Sequence, residues 1–161
     1  MLSFEVLGAT GRIGDIEHVV AYFQRAKGKG VAMDADLVCG ADHLISAALH
    51  ALRAWERGEN TASSIGMEAM LYASGERQIS KAITKMGMKT GGDRVALLLF
   101  GIDACRVLAD LGLERDDDVL KESAEKALRF GITEKEIEAV GEQRAADLVL
   151  ERVASVDLIK R

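Results

Sequence analysis

LSFEVLGATGRIGDIEHVV, residues 2–20, poses the first question about the fold. Residues 2–7 read as a short strand. Gly8-x-x-Gly11-x-x-Gly14 follows as a turn. Asp15–Ala26 then reads as a helix, because Ile16, Val19, Val20 and Phe23 recur at helical spacing and Gly28 and Gly30 stop it. Glycines between a strand and a helix let a backbone approach a pyrophosphate, and the helix start attracts its charge. The plain alternative is a tight turn in which glycine permits positive φ.

The rest of the chain decides between them. Val31–Cys39 alternates loosely and reads as a second strand, and Arg94–Phe100 (RVALLLF) reads as a central one. The tail Ala154–Leu158 also alternates and is expected as a last strand. Between them lie helical patterns. Asp42–Arg57 carries Leu44, Ala47, Ala48, Ala51 and Leu52 on one face, and Ser64 caps a short helix through Met67, Met70 and Leu71. Glu76–Met86 points Ile79, Ala82, Ile83 and Met86 inward and stops at Gly87. Asp103–Leu111, Asp118–Phe130, a helix opened by the Thr133-x-x-Glu136 capping box, and Gln143–Val153 follow. The reading is an α/β (α+β) fold: a single domain over 1–161, with about four short strands packed with six or seven helices. A doubly wound fold needs strand after strand, and the middle of this chain is mostly helix.

VLGATGRIG resembles the start of a short-chain dehydrogenase/reductase, with Asp34 and Asp36 placed to bind a ribose. Neither tyrosine completes that family's Tyr-x-x-x-Lys pair, since Ala26 follows Tyr22 and Glu76 follows Tyr72 at that spacing. A small NAD(P)-binding oxidoreductase using Gly8, Gly11 and Gly14 stands as the alternative reading.

Composition sets the wider bounds. The 161 residues are 48% hydrophobic and 29% charged, which is ample for one core. Net charge is −5, which argues against coating nucleic acid non-specifically and leaves room for a local basic patch. Aromatics are only 4%, too few for a platform stacking several bases. Cys39 and Cys105 read as reduced, buried thiols of a cytoplasmic protein, and no apolar run is long enough to span a membrane.

Residues 67–89, MEAMLYASGERQISKAITKMGMK, carry the most functional information. Arg77, Lys81 and Lys85 stand at i, i+4 and i+8, a basic stripe opposite the apolar face, extended by Lys89. The Ser74-Gly75 break leaves backbone N–H groups exposed at a helix start, where they favour anions such as phosphate. Gln78 is suited to pair with a base edge, and Tyr72 is a nearby stacking candidate. So small a site suits one nucleotide or a single-stranded end. The plain alternative is a solvated lysine face.

Ala41 through Lys89, including ADHLISAALHAL and MEAMLYASGERQISKAI, resembles the small regulatory subunit of the KEOPS (EKC) complex, the TPRKB-type kinase-binding family. The Glu-x-x-x-Tyr-x-Ser-Gly-x-Arg-Gln-Ile segment is the most specific part. EKALRFGIT and LVLERVASVDLIK are similar to archaeal members. The resemblance implies a non-enzymatic subunit without cofactor or metal. Its implied partners are the N-terminal lobe of the complex's atypical kinase/ATPase subunit and the single-stranded CCA 3′ end of tRNA. The complex installs threonylcarbamoyl on the adenosine beside the anticodon. Carried over by motif, the tRNA-binding positions are Ser74, Gly75, Arg77, Gln78 and Ile79, and the charge stripe adds Lys81 and Lys85. A pure protein scaffold is the third possibility.

Other chemistry is thinner. Cys39-x3-His43 offers two metal ligands, too few to close a zinc site, and reads as a buried thiol and a helix-facing imidazole. Asp116–Asp118 and Glu134/Glu136 sit at expected helix starts, where acids favour the positive end of the dipole.

Overall fold

In the computed structural model, which describes residues 2–160, the apolar run Arg94–Phe100 is strand β3. It lies between β1 (Phe4–Thr10) and β2 (Gly30–Asp34) and is antiparallel to both, with Phe4 opposite Phe100 and Gly30 opposite Leu99. A two-residue strand, β4 (Glu114–Arg115), completes the order β2-β3-β1-β4 by pairing with the end of β1. Because both neighbours of β3 oppose it, β1 and β2 run parallel to each other with β3 between them. The unit β1–α1–β2, with α1 at Ile16–Arg25, is thus a split βαβ. The unit β3–α5–β4, with α5 at Ala104–Leu111, is a second, and together they make a ferredoxin-like sheet.

Helices cover both faces of this sheet. Val95, Leu97 and Leu99 of β3, with Leu7 and Ala9, pack on α1 and α5 through Val19, Phe23, Ala104 and Val107. Ala96, Leu98 and Phe100 point the other way, into the larger core. That core is built by α2 (Ala41–Glu56), α3 (Ile65–Ser74), α4 (Ile79–Met86), α6 (Ala124–Phe130), α7 (Glu134–Val140) and α8 (Ala145–Ile159). The uninterrupted hydrophobicity of β3 follows, since neither face of it meets water. The α+β class expected of the chain holds. No helix among the described residues is long and apolar enough to cross a membrane.

Several local expectations hold. Ser64 caps α3 by accepting the Met67 N–H, and Thr133 and Glu136 form the capping box of α7. Asp116 accepts the Asp118 N–H at the start of a 3-10 turn, Asp117–Leu120. Others need correction. The tail expected as a strand is the last turns of α8: Val149, Val153 and Val156 are also at helical spacing and all are buried. The second strand stops at Asp34, whose carboxylate takes the Asp36 N–H and turns the chain into a 3-10 segment, Ala35–Leu37. The expected helix from Asp118 divides, and α6 begins only at Ala124, capped by Ser123, whose hydroxyl accepts the Lys126 N–H. Helix α4 begins at Ile79 rather than Glu76.

The opening glycines are not a dinucleotide cradle. Gly8 lies inside β1, where its N–H donates to Asp117 Oδ1 at 3.0 Å and its carbonyl accepts the Asp116 N–H at 2.9 Å. A Cβ there would stand 2.5 Å from Asp116 O and Val119 Cγ2, so Gly8 admits a crossing segment of the chain. The Gly11 N–H donates to Asp93 O and the Ile13 N–H to Gly92 O, which fills the turn with backbone. The start of α1 is held by the Asp15 carboxylate, which accepts the Glu17 N–H and repels a pyrophosphate from that place. Asp36 is engaged by Arg94 and Arg129. The oxidoreductase reading therefore has no support in the geometry. Gly8→Ala is expected to lower stability by about 1–3 kcal/mol through overpacking. Gly14→Ala, whose Cβ would meet nothing within 4 Å, is expected to cost less than Gly8→Ala. Urea unfolding of the two variants checks both.

Candidate nucleic-acid interface

The corner singled out from the sequence is the turn between α3 and α4. Helix α3 ends at Gly75, whose φ of 72° is the left-handed conformation that glycine adopts without strain. A Cβ at Gly75 would meet Arg152 Cβ at 3.4 Å and Phe130 at 3.5 Å, ordinary contact distances, so the positive φ is what calls for glycine. Ser74 ties the corner off, its hydroxyl donating to Leu71 O at 2.7 Å and accepting the Glu76 N–H at 3.0 Å. Gln78 then precedes α4 with extended backbone and makes no side-chain cap. The first N–H groups of α4 are left without a side-chain acceptor, as an anion site requires.

Beneath the turn, two side chains hold the last carbonyls of α3. His43 of α2 is fully buried. Its Nδ1 accepts the Cys39 N–H at 3.0 Å, so the ring proton is on Nε2 and donates to Ala73 O at 2.8 Å. Lys85 folds back from α4 and donates to Ser74 O at 2.8 Å, with its ammonium 3.7 Å from the Phe130 ring centroid. The edge of His43 meets the same ring, centroids 5.3 Å apart. Burial pushes the Lys85 ammonium down from its ordinary value and the His43 imidazolium down to about 4. Cys39 and His43 are therefore a buried hydrogen-bonded pair with both ring nitrogens in use.

The predicted residues divide into two groups. Arg77, Gln78 and Lys81 are exposed, and Ile79 is half-buried between them and the core. Among the described residues, no acid pairs with Arg77 or Lys81 within 4 Å. Ser74, Gly75 and Lys85 form the frame beneath them. The continuous basic stripe is corrected on two counts: Arg77 precedes the helix, and Lys85 turns inward to a carbonyl and an aromatic face. Ile83, expected inside, is 48% exposed. Tyr72 is no base-stacking platform, because it is fully buried. Its hydroxyl donates to Asp157 and accepts from Lys160, and its ring stacks on His50.

Sequence reading did not identify His43, Phe130 and Arg152 as builders of this corner. They come from three other helices, and only the weak Cys39-x3-His43 spacing marked one of them. It carried Glu68 only as the first residue of the recognised segment and gave it no role. This carboxylate is fully buried, accepts the Thr61 and Ala62 N–H groups, and pairs with Lys160 at 2.9 Å. Glu68 and Tyr72, at i and i+4 of the recognised segment, thus anchor the end of α8 to α3.

The buried neutral imidazole makes stability depend on pH. The folded state holds the His43 pKa below its unfolded value, so only the unfolded chain takes up the proton between pH 6.5 and about 4. The contribution is complete above the unfolded value and is lost as pH falls through that window. Urea unfolding at pH 7 and pH 4.5 is expected to show a loss about 2 kcal/mol smaller in His43→Gln than in wild type.

Comparison with known proteins agrees with the family recognised from these residues. The family described as Kinase binding protein CGI-121 matches residues 16–156. The Regulatory protein Cgi121 of Methanocaldococcus jannaschii is 33% identical over 133 residues, which cover 80% of this chain and 83% of that protein. With the match running from the start of α1 to within α8, the chain belongs to the CGI-121 family of kinase binding proteins.

Proposed function

We propose that this chain is a non-catalytic cytoplasmic subunit of a KEOPS complex. It binds the atypical kinase/ATPase subunit at the N-terminal lobe and captures the single-stranded CCA 3′ end of tRNA, in support of threonylcarbamoyladenosine formation. The kinase partner follows from membership of a kinase-binding family. The RNA role rests on one observation above the others: exposed Arg77, unpaired with any acid among the described residues, and exposed Gln78 beside the start of α4, which has no side-chain cap.

The chemistry is that of recognition. A terminal phosphate receives the free N–H groups of Ile79, Ser80 and Lys81 together with the Arg77 guanidinium, whose planar donors suit a phosphate bidentately. Gln78 has both a donor and an acceptor for a base edge. Ile79 offers apolar contact. Ser74, Gly75, Lys85 and His43 act indirectly by holding the turn in the conformation that presents these groups. Glu76, the adjacent acid, forms no ion pair with Arg77 among the described residues.

The Arg77→Glu/Lys81→Glu variant is expected to bind tRNA about tenfold or more weakly in a filter assay, with an unchanged urea midpoint and a shallower salt dependence. Wild-type affinity should fall on removal of the CCA nucleotides. Equal affinity of wild type and variant, or indifference to the 3′ end, rejects the site, and a pull-down with protein partners only identifies a scaffold. Lys85→Met is expected to weaken RNA binding and stability together, because it removes the brace under the turn.

A further inference from the structure

A cleft of about 330 Å³ lies between the last turn of α2, the loop after α1 and the start of α3. Its volume is within the range of small-molecule pockets. Leu52, Trp55 and Ile65 give it an apolar lining, and Lys27 and Lys29 line it with charge. Trp55 is the single tryptophan of the chain and is 39% exposed. One exposed aromatic side chain is ordinary on a protein surface. What distinguishes this one is that it opens on a cleft shared with two cations.

Lys27 and Lys29 are exposed, and among the described residues neither is ion-paired. Glu56 also lines the cleft and pairs with neither, so positive charge is in excess there. Lys27 has a φ of 60° and is, among the described residues, the one non-glycine in the left-handed region. Glycine takes that place after a helix without strain. A cation just past α1 complements the negative end of its dipole. That accounts for Lys27, but not for Lys29 or for an indole left open beside them.

An aromatic face bordered by cations suits a nucleotide, whose base stacks on the ring while its phosphate meets the ammonium groups. One indole receives one base, in keeping with the low aromatic content of the chain. We propose that this cleft is a second nucleotide site, with the base on Trp55 and the phosphate on Lys27 and Lys29. It lies at the first turn of α3, whereas Ser74 and Gly75 end that helix. The ten residues of α3 put about 15 Å between the two places. The assignment uses neither Arg77 nor Lys81 and is independent of the RNA corner. A free nucleotide and a nucleotide within an RNA strand offer the same chemistry, and the test separates them.

Because Trp55 is the only tryptophan, its fluorescence reports on the cleft directly. The full chain is titrated with adenosine 5′-monophosphate, with adenosine and with a short single-stranded oligoadenylate. Each titration is repeated in the Arg77→Glu/Lys81→Glu variant. Saturable quenching by the monophosphate, retained in that variant and at least about tenfold weaker with adenosine, supports a free nucleotide as the ligand. Saturable quenching by the oligoadenylate alone, retained in that variant, supports a nucleotide of RNA. Lys27→Gly/Lys29→Gln removes both charges and gives the left-handed position the residue that suits it, so the fold is kept. This variant is expected to weaken either ligand about tenfold or more, with far-ultraviolet circular dichroism unchanged. Trp55→Ala is expected to lose binding by calorimetry. No quenching of wild type by the monophosphate or the oligoadenylate overturns the site, as does unchanged affinity in the lysine variant. Quenching that disappears with Arg77→Glu/Lys81→Glu belongs to the α3–α4 corner and also overturns it, while the RNA reading of that corner stands.

Discussion

The carbonyl oxygens that end helix α3 set the conditions for the candidate site. A helix end inside a protein leaves acceptors that need donors. Here the donors come from far along the chain: His43 takes Ala73 O, and Lys85 takes Ser74 O across the face of Phe130. The His43 bond is buried, where an unmet carbonyl is costly, and the Lys85 bond is part-buried. Together with the left-handed Gly75 they permit one course for the backbone, which delivers Gln78 in extended conformation and opens α4 with bare amides. The exposed Arg77 and Lys81 are thus mounted on a corner tied down by hydrogen bonds from α2 and α4.

A second constraint comes from β3. Its side chains are apolar on both faces, so the sheet needs helices on both. The split βαβ units supply α1 and α5 to one side. The insertion between β2 and β3, with the chain after β4, supplies the rest. The larger layer is held at its far end by polar contacts, where Glu68, Tyr72, Asp157 and Lys160 join α3 to the end of α8. A buried carboxylate is tolerated there because two backbone N–H groups and an ammonium surround it.

The α3–α4 corner is small, cationic and rich in free amides, which suits a single-stranded end.

Much of this was legible in the amino-acid order. Helical periodicity and caps located α2, α3 and α7, the apolar run located β3, and the Ser74-to-Ile79 segment identified both the family and the corner, because each is written in adjacent residues. The tertiary structure decided what depends on distant contacts. It decided that Gly8 makes room for residues 116–119, that Glu114–Arg115 pairs as a strand, and that Val153 and Val156 continue a helix. It also turned Lys85 and Tyr72 inward while leaving Arg77 out. A side chain's surroundings are set by elements brought alongside it from elsewhere, and sequence spacing records only its own element.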